Sequence, residues 1–113
     1  MNAAEFEEHV VRALDGLPPD LRKAMSNVDI VVEEANAEEP DLYGLYYGIA
    51  LTERDSGYAG VLPDKISIYR RPLVEDFGHD PELLEEEIQV TVVHEIAHHF
   101  GISDERLDEL GWA

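Results

Sequence analysis

Cysteine is missing from this chain of 113 residues. That rules out disulfides and thiolate-bound metal, leaving imidazole and carboxylate as the side chains suited to holding a metal ion. Basic residues are scarce as well: 8 Lys and Arg stand against 26 Asp and Glu, a formal charge of −18. Such an excess repels phosphate backbones and anionic lipid headgroups, so neither nucleic acid nor a membrane surface is expected as a partner. The acids are spread along the chain, in Glu33-Glu34, Glu38-Glu39, Glu85-Glu86-Glu87 and Asp108-Glu109. This distribution reads as a solvated surface rather than a patch that selects basic substrates. No apolar run approaches the length of a membrane span, and the opening residues, Met1 to Glu8, lack the apolar core of a secretion signal. A cytoplasmic protein is the resulting expectation. There is no internal repeat and no low-complexity tract. With 44% hydrophobic residues, the chain can build a core, and its length suits a single domain over residues 1–113.

Periodicity and cap residues divide the chain into elements. A first helix is predicted over Ala3 to Asp15, with Asn2 as N-cap, Glu5 three residues on, and Gly16 as its stop. Phe6, Val10, Ala13, Leu14 and Leu17 form its apolar stripe. Pro18-Pro19-Asp20 opens a short second helix through Leu21 to Met25. Val28 to Val32 alternates with Asp29 outward and reads as a strand. Residues 33–41 form an acidic loop, Leu42 to Thr52 supplies a second strand, and Glu53 to Asp64 is a loop. Lys65 to Arg71 reads as a third strand, with Ile66, Ile68 and Arg70 opposite Ser67 and Tyr69. Asp80-Pro81 marks the start of a long helix to about Phe100, whose Leu84, Ile88, Val92 and Ile96 recur at steps of four. Ser103 caps a last short helix from Asp104 to Leu110, with Leu107, Leu110 and Trp112 turned inward. Strands followed by a main helix point to an α+β fold.

Near the end of the long helix stands His94-Glu95-Ile96-Ala97-His98, followed by His99-Phe100-Gly101-Ile102-Ser103-Asp104. Together they spell H-E-x-x-H-x-x-G-x-x-D. Residues i and i+4 lie about 40° apart around a helix, so His94 and His98 can direct two imidazoles at one metal. Glu95, roughly 100° round from His94, can reach a metal-bound water without being a ligand. Gly101 permits a left-handed C′ conformation that turns the chain back and brings the Asp104 carboxylate to the same metal. Glu105, Asp108 and Glu109 are the rival third ligands. Shuffling this composition yields the five-residue core in roughly 3 of 100 cases, and the full pattern in roughly 2 of 10,000. The extended motif is therefore a strong signal.

Taken with its flanks, the motif resembles the small bacterial zincin-like metallopeptidase family, a minimal zincin of about this length. The resemblance runs through Gly48-Ile49-Ala50-Leu51-Thr52-Glu53-Arg54, Gly57 to Pro63, Ile68-Tyr69-Arg70-Arg71-Pro72-Leu73, and Val92 onward to Gly111-Trp112. It implies a small sheet of three to four strands packed on a long active-site helix, with flanking N- and C-terminal helices. It also implies zinc held by His94, His98 and Asp104, and hydrolysis of peptide or amide bonds with Glu95 as general base. The larger metzincins carry a methionine-containing turn after the third ligand, whereas the methionines here are Met1 and Met25. A donor for the developing oxyanion is expected among Tyr46, Tyr47, Tyr58, Tyr69 and Arg70. His99 points about 100° from His98 and reads as a packed or supporting residue. His9 and His79 read as surface residues. The alternative function is a non-catalytic zinc-binding interaction module with an acidic surface. A zinc nuclease is opposed by the charge.

Overall fold

Helix α1, Ala3–Asp15, starts where its cap predicts: the Asn2 side chain accepts a hydrogen bond from the Glu5 amide at 2.8 Å. The computed structural model describes residues 1–48, 64–99 and 101–109. Phe6, Val10 and Ala13 are buried along one stripe of α1, and Leu17 joins them just beyond Gly16. At the other end of the helix, the Ala13 carbonyl accepts the Gln89 side-chain amide at 2.8 Å. A carbonyl left over by the helix end is thus satisfied from a distant element. Helix α2, Pro19–Ala24, begins with proline in its first turn, where the missing N–H costs nothing.

The described sheet has three strands, β1 (Val28–Glu33), β2 (Gly44–Tyr47) and β3 (Asp64–Tyr69), in the order β1-β3-β2. β1 runs parallel to β3, with Ile30 opposite Ile66, and β2 runs antiparallel, with Gly44 opposite Ile68 and Tyr46 opposite Ile66. β1 alternates between half-buried and exposed positions as predicted. β3 does not. Ile66, Ser67, Ile68 and Tyr69 are all buried, because β3 is the central strand and is covered on both faces. Asn36 holds the acidic loop against one face: its amide donates to the Tyr69 hydroxyl at 3.1 Å while its Oδ1 accepts from the Glu38 and Glu39 amides.

Two boundaries differ from the sequence reading. Asp64, assigned to the preceding loop, is the first residue of β3, and the strand ends at Tyr69 rather than Arg71. Arg70–Phe77 is a helix, α3, that the alternation of Ile66, Ile68 and Arg70 concealed. Pro72 sits in its first turn, where helical amides have no intrahelical acceptor, so the proline is compatible with the helix and is buried beside Leu73. Arg70 is drawn out of the strand by Glu34, to which its Nε donates at 3.0 and 3.2 Å. The second strand's stretch beyond Gly48, the loop 53–63, Phe100, Leu110 and Trp112 lie outside the described residues.

Helix α4, Pro81–His99, carries the motif. Asp80 caps it, its Oδ1 accepting from the Glu82 and Leu83 amides at 3.1 and 3.3 Å. Leu84, Ile88, Val92 and Ile96 are buried, as are Thr91, Val93 and Ala97, so the apolar stripe meets both α1 and the sheet. Each such aliphatic side chain contributes about 1.5–3 kcal/mol on burial, which holds the helix in a fixed register against β2 and β3. His79 is exposed as read, but His9 is not a bare surface residue. Its Nδ1 lies 2.5 Å from Glu85 Oε2 and its side chain is only 14% exposed, linking α1 to α4. The last helix, α5 (Asp104–Glu109), is capped by the Ser103 hydroxyl, which accepts from the Arg106 amide at 3.1 Å, and it buries Leu107. The architecture is α+β.

Candidate metal centre

Two of the candidate ligands, His94 and His98, share the last two turns of α4 with Glu95. Val92, Val93, Ile96 and Ala97 anchor this segment in the core, which leaves His94 and Glu95 half-buried and His98 exposed on the remaining arc. The His94 and His98 ring centres are 6.2 Å apart with 50° between planes. A ring centre lies roughly 3 Å from a metal bound at its nitrogen, so two imidazoles on one tetrahedral ion would stand roughly 5 Å apart, and sharing an ion requires the two rings to turn toward each other. Two neutral nitrogen donors one turn apart fit zinc. Among the described residues no cluster of three His, Asp or Glu donors forms. The third predicted ligand, Asp104, is the first residue of α5, and its side chain lies outside the described part of the structure.

What brings α5 back toward α4 is Gly101. Its φ is +74°, and a side chain there would meet nothing within 4 Å, so the need for glycine is one of backbone conformation alone. The Ile102 amide reaches back to the Ala97 carbonyl at 2.8 Å and the Gly101 amide to the His98 carbonyl at 3.2 Å. These are the two hydrogen bonds of a Schellman reversal. The rivals Glu105, Asp108 and Glu109 are exposed on α5, and Glu109 accepts from Arg106 at 2.8 Å.

Glu95 is held from across the sheet. Its Oε1 accepts the Tyr46 backbone amide at 3.0 Å. β2 uses its other edge to pair with β3, so the Tyr46 amide, on the outer edge, is turned to the helix. The approach is close at Gly44: a Cβ there would stand 2.6 Å from Thr91 Cγ2 and 3.0 Å from the Ser67 carbonyl. Only glycine lets the strand lie this near to α4. Beside these residues runs a groove of about 320 Å³, lined by Leu42, Tyr43, Glu87, Val90, His94 and Glu95 among others.

The expected oxyanion donors are largely engaged elsewhere. The Tyr46 hydroxyl donates to Asp64 Oδ2 at 2.6 Å. The Tyr47 and Tyr69 hydroxyls lie 3.4 Å apart on the other face of the sheet. This hydrogen bond, together with burial and the charges of Tyr69, Glu33 and Glu38, pushes the Tyr47 hydroxyl up to about 12. Arg70 is bound to Glu34 and to the Met1 carbonyl, and its guanidinium holds the Glu34 carboxyl below the usual range. Tyr58 lies outside the described residues. His99 is packed, one of the two roles its direction on the helix allowed: its ring stacks on Tyr46 at 4.1 Å, and its Nε2 is 3.8 Å from Asp64. Asp64 is the residue that sequence reasoning missed. Carrying the Ile66–Ile68 alternation back by two would have placed it on the same face of the strand.

Among the described residues no helix is long and apolar enough to cross a membrane. No curated protein matches the chain. A family model described as zincin-like metallopeptidase matches residues 25–112, a span that takes in the sheet, α3, α4 and α5. The chain belongs to the zincin-like metallopeptidase family.

Proposed function

We propose that the protein is a zinc-dependent peptidase acting on a peptide or protein substrate, with His94, His98 and Asp104 as metal ligands and Glu95 as general base. The observation that carries this reading is the placement of Glu95. It follows His94 directly on α4, its Oε1 is held by the Tyr46 amide, and it lines the groove beside the sheet edge. A purely structural metal site has no need of a glutamate directly beside a ligand and facing a groove, and the contact to the Tyr46 amide leaves its second carboxylate oxygen to act as a base.

When bound, zinc supplies Lewis acidity that lowers the pKa of water toward about 7 and polarises a carbonyl oxygen. The chain's own contributions are distinct. His94 and His98 bind as neutral imidazoles, and Asp104 adds a carboxylate whose charge offsets part of the metal's. Glu95 takes the proton of the attacking water on Oε2, since Oε1 is occupied by the Tyr46 amide, and then delivers it to the leaving amine. Val90, Leu42 and Thr91 give the groove apolar walls that exclude water from one side of the bound substrate. The charge of −18 opposes a nucleic-acid substrate.

The test is zinc analysis combined with cleavage of a peptide library by wild type and Glu95→Gln. About one zinc per chain is expected in both proteins, with hydrolysis reduced roughly 100-fold or more in the variant. A zinc-loaded wild type that cleaves no peptide, or a variant that cleaves as well as wild type, overturns the proposal.

A further inference from the structure

We infer that Asp64 is a positioning residue for Glu95, acting through Tyr46; the inference rests on the reading of Glu95 as the base. A general base is effective only when its carboxylate is held within about 0.5 Å of the productive position. A glutamate side chain has several rotatable bonds, and the contact that orients this one is the Tyr46 amide at 3.0 Å. The placement of that amide therefore decides the placement of the base.

Tyr46 belongs to a four-residue edge strand, hydrogen-bonded to a neighbour on one side only among the described strands. Gly44 seats the start of the strand against Thr91. Two residues on, the Tyr46 side chain adds a further constraint. The hydroxyl donates to Asp64 Oδ2 at 2.6 Å, and the ring lies flat on His99 at 4.1 Å with 16° between planes. Glu95 and His99 are one turn apart on α4, so Tyr46 meets the helix twice, by its amide at one turn and by its ring at the next.

Asp64 is the fixed end of this arrangement. It lies diagonally across from Tyr46, whose register partner is Ile66, so both side chains project from one face of the sheet. Its own backbone is secured in the central strand, opposite Val28, with its amide donating to the Asn27 carbonyl at 3.1 Å. Its side chain is only 13% exposed, and a charge-assisted hydrogen bond in such a setting is stronger than a neutral one in water. The route from the sheet to the base is continuous: Asp64 carboxylate, Tyr46 hydroxyl, Tyr46 amide, Glu95 carboxylate.

The zinc-loaded full chain, with Asp64→Ala, Asp64→Asn and Tyr46→Phe, provides the test. Amide hydrogen exchange reads the contact directly, with Glu95→Ala as the reference for its complete loss. Asp64→Ala and Tyr46→Phe should speed exchange at the Tyr46 amide about ten-fold or more while Ile66 and Ile68 keep their protection. On a cleaved peptide, kcat should fall about ten-fold with KM and zinc content nearly unchanged. Asp64→Asn still offers an oxygen to the Tyr46 hydroxyl and should restore most of both. Unchanged exchange and kcat in Asp64→Ala and Tyr46→Phe overturn the inference. So does a loss of kcat that travels with loss of zinc or of protection in β3, since that marks a merely structural role. If the wild type hydrolyses no peptide, the peptidase reading fails, and exchange at Tyr46 alone decides whether Asp64 governs the contact to Glu95.

Discussion

The Ile102 amide donates to the Ala97 carbonyl at 2.8 Å, closing the end of α4 over Gly101 at φ +74°. Together with the Gly101 amide on the His98 carbonyl, this contact sets the direction in which the chain leaves the helix, and with it the start of α5.

Because space around Gly101 is open, replacing it tests the backbone alone. Gly101→Ala should destabilise the protein by about 1–2 kcal/mol, the cost of a left-handed residue with a Cβ. Gly101→Asn should cost less, since Asn tolerates that region best among the others. Urea unfolding of the metal-free protein measures both. Equal stability of Gly101→Ala and wild type would mean that the reversal is not formed in solution.

The third ligand is tested by zinc affinity. His94→Ala or His98→Ala should abolish stoichiometric binding. Asp104→Ala should weaken it by at least the roughly 10–100-fold seen for losing a supporting partner of a ligand. Glu105→Ala, Asp108→Ala and Glu109→Ala should leave affinity nearly unchanged. Competition titration with a chelator reads all six variants. Release of the metal by Glu105→Ala or Asp108→Ala, with Asp104→Ala still binding, would assign the site to another residue of α5.

Gly44 is where β2 touches α4. A methyl group there would collide with Thr91 and with the Ser67 backbone carbonyl, which cannot rotate away. Gly44→Ala should therefore cost about 1–3 kcal/mol through overpacking, and it should move the Tyr46 amide away from Glu95. Thermal unfolding gives the first effect, and the amide resonance of Tyr46 gives the second. A variant as stable as wild type, with that resonance unmoved, would show that the strand does not pack so closely.

Tyr43 provides a pH prediction. Its hydroxyl donates to the Asp76 carboxylate, and that hydrogen bond, burial, and the charges of Asp76, Glu87 and Asp41 push it up to about 12 from 10.0. Folding thus favours the neutral phenol. The associated stability is complete below about pH 10 and is lost as pH rises toward 12. Tyrosinate absorbance should show one fewer late-ionising tyrosine in Tyr43→Phe, and the variant's stability should decline less steeply over that window. Identical titration curves for variant and wild type would remove the Asp76 contact from the account.

Much of the fold was legible because its signals are local. Asn2, Asp80 and Ser103 cap helices whose first turns lie within three residues of them. The spacing of His94, Glu95 and His98 needs only helical geometry to place them on one side of α4. The helix at Arg70–Phe77 was concealed because Arg70 continues the parity of Ile66 and Ile68. In the structure, the ion pair with Glu34 takes Arg70 out of that alternation and into the first turn of the helix.

The sequence by itself determined the donor types, their spacing on α4, and the glycine that turns the chain after it, because each depends on residues within one or two helical turns. Only the tertiary structure decided which tyrosine amide meets Glu95 and which acid holds that tyrosine. Tyr46 is 49 positions from Glu95 and 18 from Asp64. Their meeting depends on the register of β2 against β3 and on the seating of α4 against Gly44. Those are fixed by packing between distant elements, and packing of that kind leaves no periodic trace along the chain.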